Sequence, residues 1–220
     1  MGVAEPAGCP LCGEEVIQPF ARAHGRSYLE CPTCLLVYMA PDDRLDLAAE
    51  CAHYATHRND PADRGYRRFL SRVADPLVQV VAPGAEGLDY GSGPGPTLSI
   101  MLRERGLRME CYDPIFAADG SALSRSYDFI TCTETAEHFY RPGEEFDRLD
   151  NLLRPGGWLA LMTELLSEER EFAQWRYARD PTHVCFYRRD TLGWIADHYG
   201  WSPQFPHSTV VLFRKPLGGG

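Results

Sequence analysis

Long apolar runs are missing from this chain. No stretch of 18 consecutive apolar residues occurs among its 220, so no segment is expected to span a membrane. The start, MGVAEPAGCP, lacks the basic and apolar regions of a secretion signal. Positive charge is also scarce: 22 Lys and Arg face 31 Asp and Glu, a net charge of −9. That balance makes nucleic acids and anionic membranes poor default partners. There is no internal repeat, no low-complexity tract beyond the terminal GGG, and no collagen-like period among the 20 Gly and 17 Pro. What remains is ordinary. The chain is 44% hydrophobic and 24% charged, values of a globular protein rather than a disordered one. Its length allows a real core and one domain with a small appendage. Eight cysteines without a secretory start point to metal or free thiols, with the cytoplasm as the expected location.

Three regions separate. Residues 1–40 carry four cysteines in two pairs. Residues 41–82 read as a helical lead-in, with Leu45, Ala48, Ala49 and Ala52 on one face and Tyr66, Phe69, Leu70 and Val73 on another. Asp60 and Pro61 suggest the cap and first turn of the second helix. From residue 83 to 220, short apolar runs alternate with helical patterns, as in βα units on a largely parallel sheet. Strands are expected over Gly87–Tyr90, Leu107–Tyr112, Tyr127–Cys132, Trp158–Thr163 and Thr209–Phe213, the last of them closing the sheet. Helices are expected over Pro96–Arg105, Pro142–Leu153, Glu168–Tyr177 and Asp190–Tyr199.

Cys9, Cys12, Cys31 and Cys34 form C-x2-C, an 18-residue spacer, then C-x2-C. Two such turns can set four thiolates tetrahedrally around zinc at about 2.3 Å; a pair of redox dithiols is the alternative. A four-thiolate site leaves no position for water, so its role would be structural. Forty residues with few large apolar groups need such a staple, which can supply on the order of 10 kcal/mol. Residues 1–40 sum to −2, and four thiolates around Zn²⁺ add further negative charge, so this ribbon should repel phosphates. Cys51, Cys111, Cys132 and Cys185 read as buried thiols.

Residues 88–96, LDYGSGPGP, run a strand into a glycine turn that opens a helix. Gly91, Gly93 and Gly95 allow backbone to approach a nucleotide-like ligand closely. A dinucleotide fingerprint would require glycine at 96, where Pro96 stands. Asp89 would oppose a pyrophosphate but suits an ammonium or a ribose hydroxyl. Asp113, 24 residues on, ends the next strand, where a carboxylate can accept both ribose hydroxyls.

With LDYGSGPGP, CYDP, YDFITCTETAEHFYRPGEEF and LLRPGGWLALMT in that order, residues 83–215 resemble the class I S-adenosylmethionine (SAM)-dependent methyltransferases. DPTHVCFYRRDTLGWIADHYGW is similar to a tail found in many of them. The resemblance implies an α/β fold: a Rossmann-like, doubly wound, mostly parallel sheet of seven strands, here preceded by the small zinc ribbon and the helical lead-in. SAM would lie across the carboxyl ends of the strands. Asp89, Tyr90, Gly91, Ser92 and Gly93 would form its methionine side, Asp113 and Pro114 its ribose side, and Thr133 and Glu134 would stand beside the sulfonium and the acceptor entrance. Only 13 residues separate Asp113 from Tyr127, so the third strand should be shortened or absent. Asp119 is left as a candidate for the adenine.

Methyl transfer from SAM is an in-line displacement that leaves a neutral thioether, so alignment and water exclusion carry much of the rate. A base is required only for a hydroxyl or carbon-acid acceptor. His138 and His183 are candidates for it, with bracing of a loop as the plainer role, and Glu134 could face the sulfonium or cap a loop. Tyr54, His57 and Tyr66 could close as a lid over the cofactor, or simply pack. Arg58, Arg64, Arg67, Arg68 and Arg72 outweigh Asp60 and Asp63 over residues 58–72, a solvated helix face or an anion dock. The function expected is methyl transfer to a small molecule. The N-terminal zinc-binding segment is similar to that of certain sugar C-methyltransferases; the alternatives are an RNA base methyltransferase, since an rRNA guanine methyltransferase group also starts with CxxC pairs, or a non-catalytic interaction protein. Oligomeric state is not legible.

Overall fold

The computed structural model describes residues 8–54 and 59–218. A four-stranded antiparallel sheet opens the chain. It comprises β1 (Gln18–Ala23), β2 (Arg26–Glu30), β3 (Val37–Met39) and, from far downstream, β8 (Cys185–Phe186). The lead-in follows as α1 (Leu47–Tyr54) and α2 (Arg64–Val80). The large sheet has the order β5-β4-β6-β7-β10-β9. Its strands are β4 (Glu86–Tyr90), β5 (Arg108–Tyr112), β6 (Tyr127–Thr133), β7 (Leu153–Met162), β9 (Ser202–His207) and β10 (Val210–Arg214). β5, β4, β6 and β7 are parallel, and β10 runs antiparallel to both β7 and β9. Helices α3 (Thr97–Glu104), α4 (Pro142–Leu152) and α5 (Arg189–Tyr199) complete the doubly wound α/β architecture. Among the described residues no helix is long and apolar enough to cross a membrane.

Side-chain alternation explains why the central strands read as continuous apolar runs. Leu159 and Leu161 of β7, with Val211 and Phe213 of β10, enter one core beneath α4 and α5. Ala160 and Met162, with Val210 and Leu212, enter the other core beneath α2 and α3. The cysteine-rich segment packs into the first of these cores. Gly143 of α4 donates its N–H to Pro10 O at 3.1 Å, and a Cβ at Gly143 would sit 2.7 Å from Leu11 O. β8 pairs with β3, Val37 opposite Phe186 and Tyr38 opposite Cys185.

The structure departs from the sequence expectations in four places. Among the described residues the large sheet has six strands rather than seven. Residues 114–126 hold only a turn, bridged from Asp113 to Ala117, and a 3-10 helix, Gly120–Ser124; 13 residues cannot supply a helix and a strand. Asp63 rather than Asp60 caps α2, accepting from the N–H groups of Gly65 and Tyr66 at 2.7 and 3.2 Å, while Asp60 holds a preceding turn through Ala62 N–H. The helix expected over Glu168–Tyr177 is two short 3-10 turns, Phe172–Gln174 and Tyr177–Arg179. Its aromatics point into the small sheet instead of along one helical face: Phe172 meets Tyr28 and Phe186 at centroid distances of 4.7 and 5.1 Å. Finally β10 does not close the large sheet. β9 does, carrying Pro203 and Pro206 as only an edge strand can.

Candidate active site

The loop after β4 bends in a way that demands glycine. Gly91 and Gly93 have φ of +79° and +63°. A Cβ at Gly91 would lie 2.2 Å from Thr135 Cγ2, and one at Gly95 would lie 2.1 Å from the Asn59 carbonyl. The N–H groups of Gly91 and Ser92 both donate to Tyr112 O, at 2.8 and 3.2 Å. Asp113 ties this loop to the next one. Its Oδ2 accepts from Gly93 N–H and its Oδ1 from Ile115 and Phe116 N–H, each at 2.9 Å. Asp89 is almost wholly buried and accepts from Ser99 Oγ and Thr131 Oγ1, at 3.0 and 2.8 Å. Burial raises its carboxyl above the usual range, against the pull of those two hydroxyls.

These groups open onto a cleft of about 770 Å³ at the carboxyl ends of β4, β5 and β6. It brings together the residues singled out on the glycine side, Tyr90, Gly91, Ser92 and Gly93, with Asp89, Asp113 and Pro114. Thr133, Glu134, His138 and His183 line its far wall, and Tyr54 and Tyr66 its helical side. His57 and Arg58 lie outside the described residues. Arg64, Arg67, Arg68 and Arg72 are not among the residues lining the cleft; Arg67 pairs with Glu104, and Arg72 lies over the Phe69 ring. Asp119, the adenine candidate, lies away from the cleft and caps the Gly120–Ser124 turn through Ser121 N–H.

The far wall is acidic and largely buried. Glu134 sits just past β6 with φ of +49°, a conformation costly for a residue with a side chain. Burial, and then the charges of Glu137 and Glu164, push its carboxyl up to about 9. Glu137 has no solvent exposure. Its Oε1 accepts from Tyr177 OH, which also meets Thr163 Oγ1 at 2.9 Å. Its Oε2 is buried without a hydrogen-bond partner, as is Thr133 Oγ1. His138 Nδ1 lies 2.9 Å from Thr182 O and His183 Nδ1 lies 2.8 Å from Tyr177 O. A carbonyl only accepts, so each Nδ1 carries a proton, and in the neutral ring the lone pair is on Nε2. Burial lowers the His183 pKa. The two rings stand 4.8 Å apart, and Tyr54 packs edge-on to His138 at 5.3 Å. Tyr54 OH donates to Glu50 at 3.0 Å. Tyr66 is pushed up to about 12 by burial and by the charges of Asp89 and Glu134.

Sequence reasoning missed four participants. Asn59 abuts the glycine loop, but nothing local in NDPADR marks a long-range contact. Ile115 and Phe116 line the cleft while remaining over a third exposed, and two exposed apolar residues after CYDP were the available signal. Glu137, beside His138 in TETAEHF, was legible only as a charge, because burial depends on the tail folding back over it.

In the small sheet, Cys9 Sγ lies 3.5 Å from Cys34 Sγ, and Cys12 Sγ lies 3.5 Å from Cys31 Sγ, with all four within 4.8 Å. Four thiolates on one zinc would stand about 3.8 Å apart, so the donor set fits. Two tight turns present them: Gly13 N–H bonds Cys9 O, Leu35 N–H bonds Cys31 O, and Gly13 and Leu35 both have positive φ. The hydrogen bond from Cys34 holds Cys9 down to about 5 and pushes Cys34 up, while burial raises Cys12 to about 12.

A glycine-turn crevice at the carboxyl ends of a mostly parallel sheet defines a cofactor-binding α/β enzyme. The chain belongs, more particularly, to the methyltransferase-domain family, whose model matches residues 54–204, well over half of it. These are SAM-dependent enzymes. No curated protein sequence matches the chain. Solved structures share its fold at low identity. An O-methyltransferase family protein from Burkholderia thailandensis aligns with TM-score 0.53 and 14% identity, over 71% of this chain and 57% of its own, so this chain spans little more than half of that relative. The 1,6-didemethyltoxoflavin-N1-methyltransferase of the same organism, solved with its acceptor and S-adenosylhomocysteine, aligns with TM-score 0.51 and 14% identity, over 90% of this chain and 99% of its own. A Haloferax volcanii protein solved in complex with the Trm112 methyltransferase activator gives 0.54 and 14%, over 76% and 97%.

Proposed function

We propose that this protein transfers the methyl group of SAM to a small-molecule acceptor, and that its four cysteines hold one structural zinc ion. The observation that carries the reading is the set of carboxylates at the ends of neighbouring strands, Asp89, Asp113 and Glu134, around a loop that only glycine can form. SAM supplies an activated methyl on a sulfonium, and a buried acidic wall suits a cationic ligand. Asp113 and the glycine turn would hold the ribose and the methionine end, with Ile115 and Phe116 as apolar cover for the base. Glu134 would face the sulfonium. The His138–His183 wall would meet the acceptor and handle its proton where it has one to lose, and Tyr54 and Tyr66 would exclude water above it.

A site of this sign is a poor cradle for RNA phosphates, which favours the small-molecule acceptor. Three measurements test the reading. Calorimetric titration should give tight binding of SAM and its demethylated product, and absence of both would overturn the enzyme. Labelled SAM incubated with fractionated cell extract should mark the small-molecule fraction; label in RNA would overturn the acceptor class. Elemental analysis should give one thiolate-bound zinc per chain, and a folded protein whose cysteines hold none would overturn the structural zinc.

A further inference from the structure

We propose that Glu137, His138 and His183 form a second metal site, distinct from the four cysteines, which holds a divalent transition-metal ion in the wall of the cleft and presents it to an oxygen-bearing acceptor. A nitrogen of each ring and a carboxylate oxygen of Glu137 all lie within 4.8 Å of one another. Both rings are already set as ligands. Each Nδ1–H is spent on a main-chain carbonyl, Thr182 O for His138 and Tyr177 O for His183, which leaves Nε2 as the ligand atom of the neutral ring, the usual outer arrangement of a metal-bound histidine; His183 Nε2 also lies 3.9 Å from Asp180 Oδ2. The third member carries the independent observation. Glu137 is completely buried and one of its oxygens has no partner, while among the described residues no arginine or lysine stands within ion-pair distance of it. A carboxylate left so is strongly destabilising unless a cation meets it.

Two imidazoles and one carboxylate make a three-ligand set, which leaves an ion with open positions, unlike the closed four-cysteine set. All three residues line the cleft, so the open side faces the acceptor. This step rests on the methyl-transfer reading. An acceptor hydroxyl on the ion gives its proton to water more readily. The oxygen lone pair then forms the O–CH₃ bond as the S–CH₃ bond breaks, and that bond's electrons remain on the sulfur as a neutral thioether. Two histidines that would otherwise compete for one role as base thereby act together.

Manganese separates the two sites, since thiolates select zinc whereas an imidazole–carboxylate set accepts Mn²⁺. Zinc-loaded full-length protein titrated with Mn²⁺ and followed by electron paramagnetic resonance should bind one ion per chain. Glu137→Gln, His138→Gln and His183→Gln should each weaken that binding by about tenfold or more. Absence of Mn²⁺ binding by the wild-type protein overturns the site without recourse to any variant. Binding that survives Glu137→Gln unchanged overturns the ligand assignment. SAM titration of the same samples keeps the two readings apart: SAM bound without Mn²⁺ sinks only the metal site, and Mn²⁺ bound without SAM sinks only the methyl-transfer reading.

Discussion

The two ends of the parallel strands use the same residue types to opposite purposes. At the amino ends, Arg154 reaches Asp128 and Glu86, both at 2.7 Å. Asp128 also accepts Glu86 N–H at 2.8 Å, and Arg108 and Arg125 approach Glu86. Arg154 holds the Glu86 carboxyl below its usual range; burial alone would raise Asp128, but the Glu86 amide and Arg154 outweigh it. At the carboxyl ends, Asp89, Asp113, Glu134 and Glu137 receive hydroxyls and amides, and among the described residues no guanidinium stands within ion-pair distance of any of them. Asp89 and Glu134 are pushed up, not down. Charge is met by basic side chains at one end and, among the described residues, left without them at the other. The difference marks the end where the proposed ligand would sit.

Breaking the glycine turn should have the largest effect. Gly91→Ala combines a left-handed backbone with overlap onto Thr135, and we expect SAM binding to weaken by about 3 kcal/mol, roughly a hundredfold, in calorimetric titration; undiminished affinity would remove the loop from the site. Asp113→Ala comes next. It loses any bond to the ligand and also frees three loop amides, and should cost about 1–3 kcal/mol of SAM affinity by the same measurement. A smaller effect sharpens the contrast in sign. Glu134 is raised, so the native state holds its proton while the unfolded chain releases it, and stability should fall as pH climbs from the usual carboxyl range to about 9. Denaturant titrations of Glu134→Gln across that range should show a flatter decline, and an identical slope would contradict the assignment. Smallest is Arg154→Met. Asp128 and Glu86 are lowered, so their contribution is present above their usual pKa and lost as pH falls through the lowered values. The variant should lose stability at neutral pH and lose less on acidification.

What the sequence made legible was local. The glycines, Asp113, the cysteine turns and the apolar strands each declare themselves within a few residues, because turn chemistry and side-chain period act at that range. Asp60 and Asp63 compete for one cap three residues apart, and propensity does not choose between them. β9 hid behind its prolines, which are tolerable only at an edge, and edge position is a property of the whole sheet. The aromatics of residues 172–177 imitate a helix but serve as pegs into the small sheet. Glu137 needed the fold itself: its burial is made by Tyr177 and the 180–184 loop, some forty residues later.

β8 places the cysteine-rich segment in the service of the cleft. Met39 N–H bonds Val184 O, and Val184 N–H bonds Glu137 O, both at 2.8 Å, so a rung of the small sheet runs directly beneath His183 and its acidic neighbour. The cysteine-rich segment is therefore a splint for the wall that carries His138 and His183 rather than an ornament on it. A version lacking residues 1–40 would strip the support from under the tail, bare Phe186, and let the two imidazoles drift. Shortening the protein at its amino end should therefore spare the glycine-turn side of the cleft and loosen the His138–His183 side.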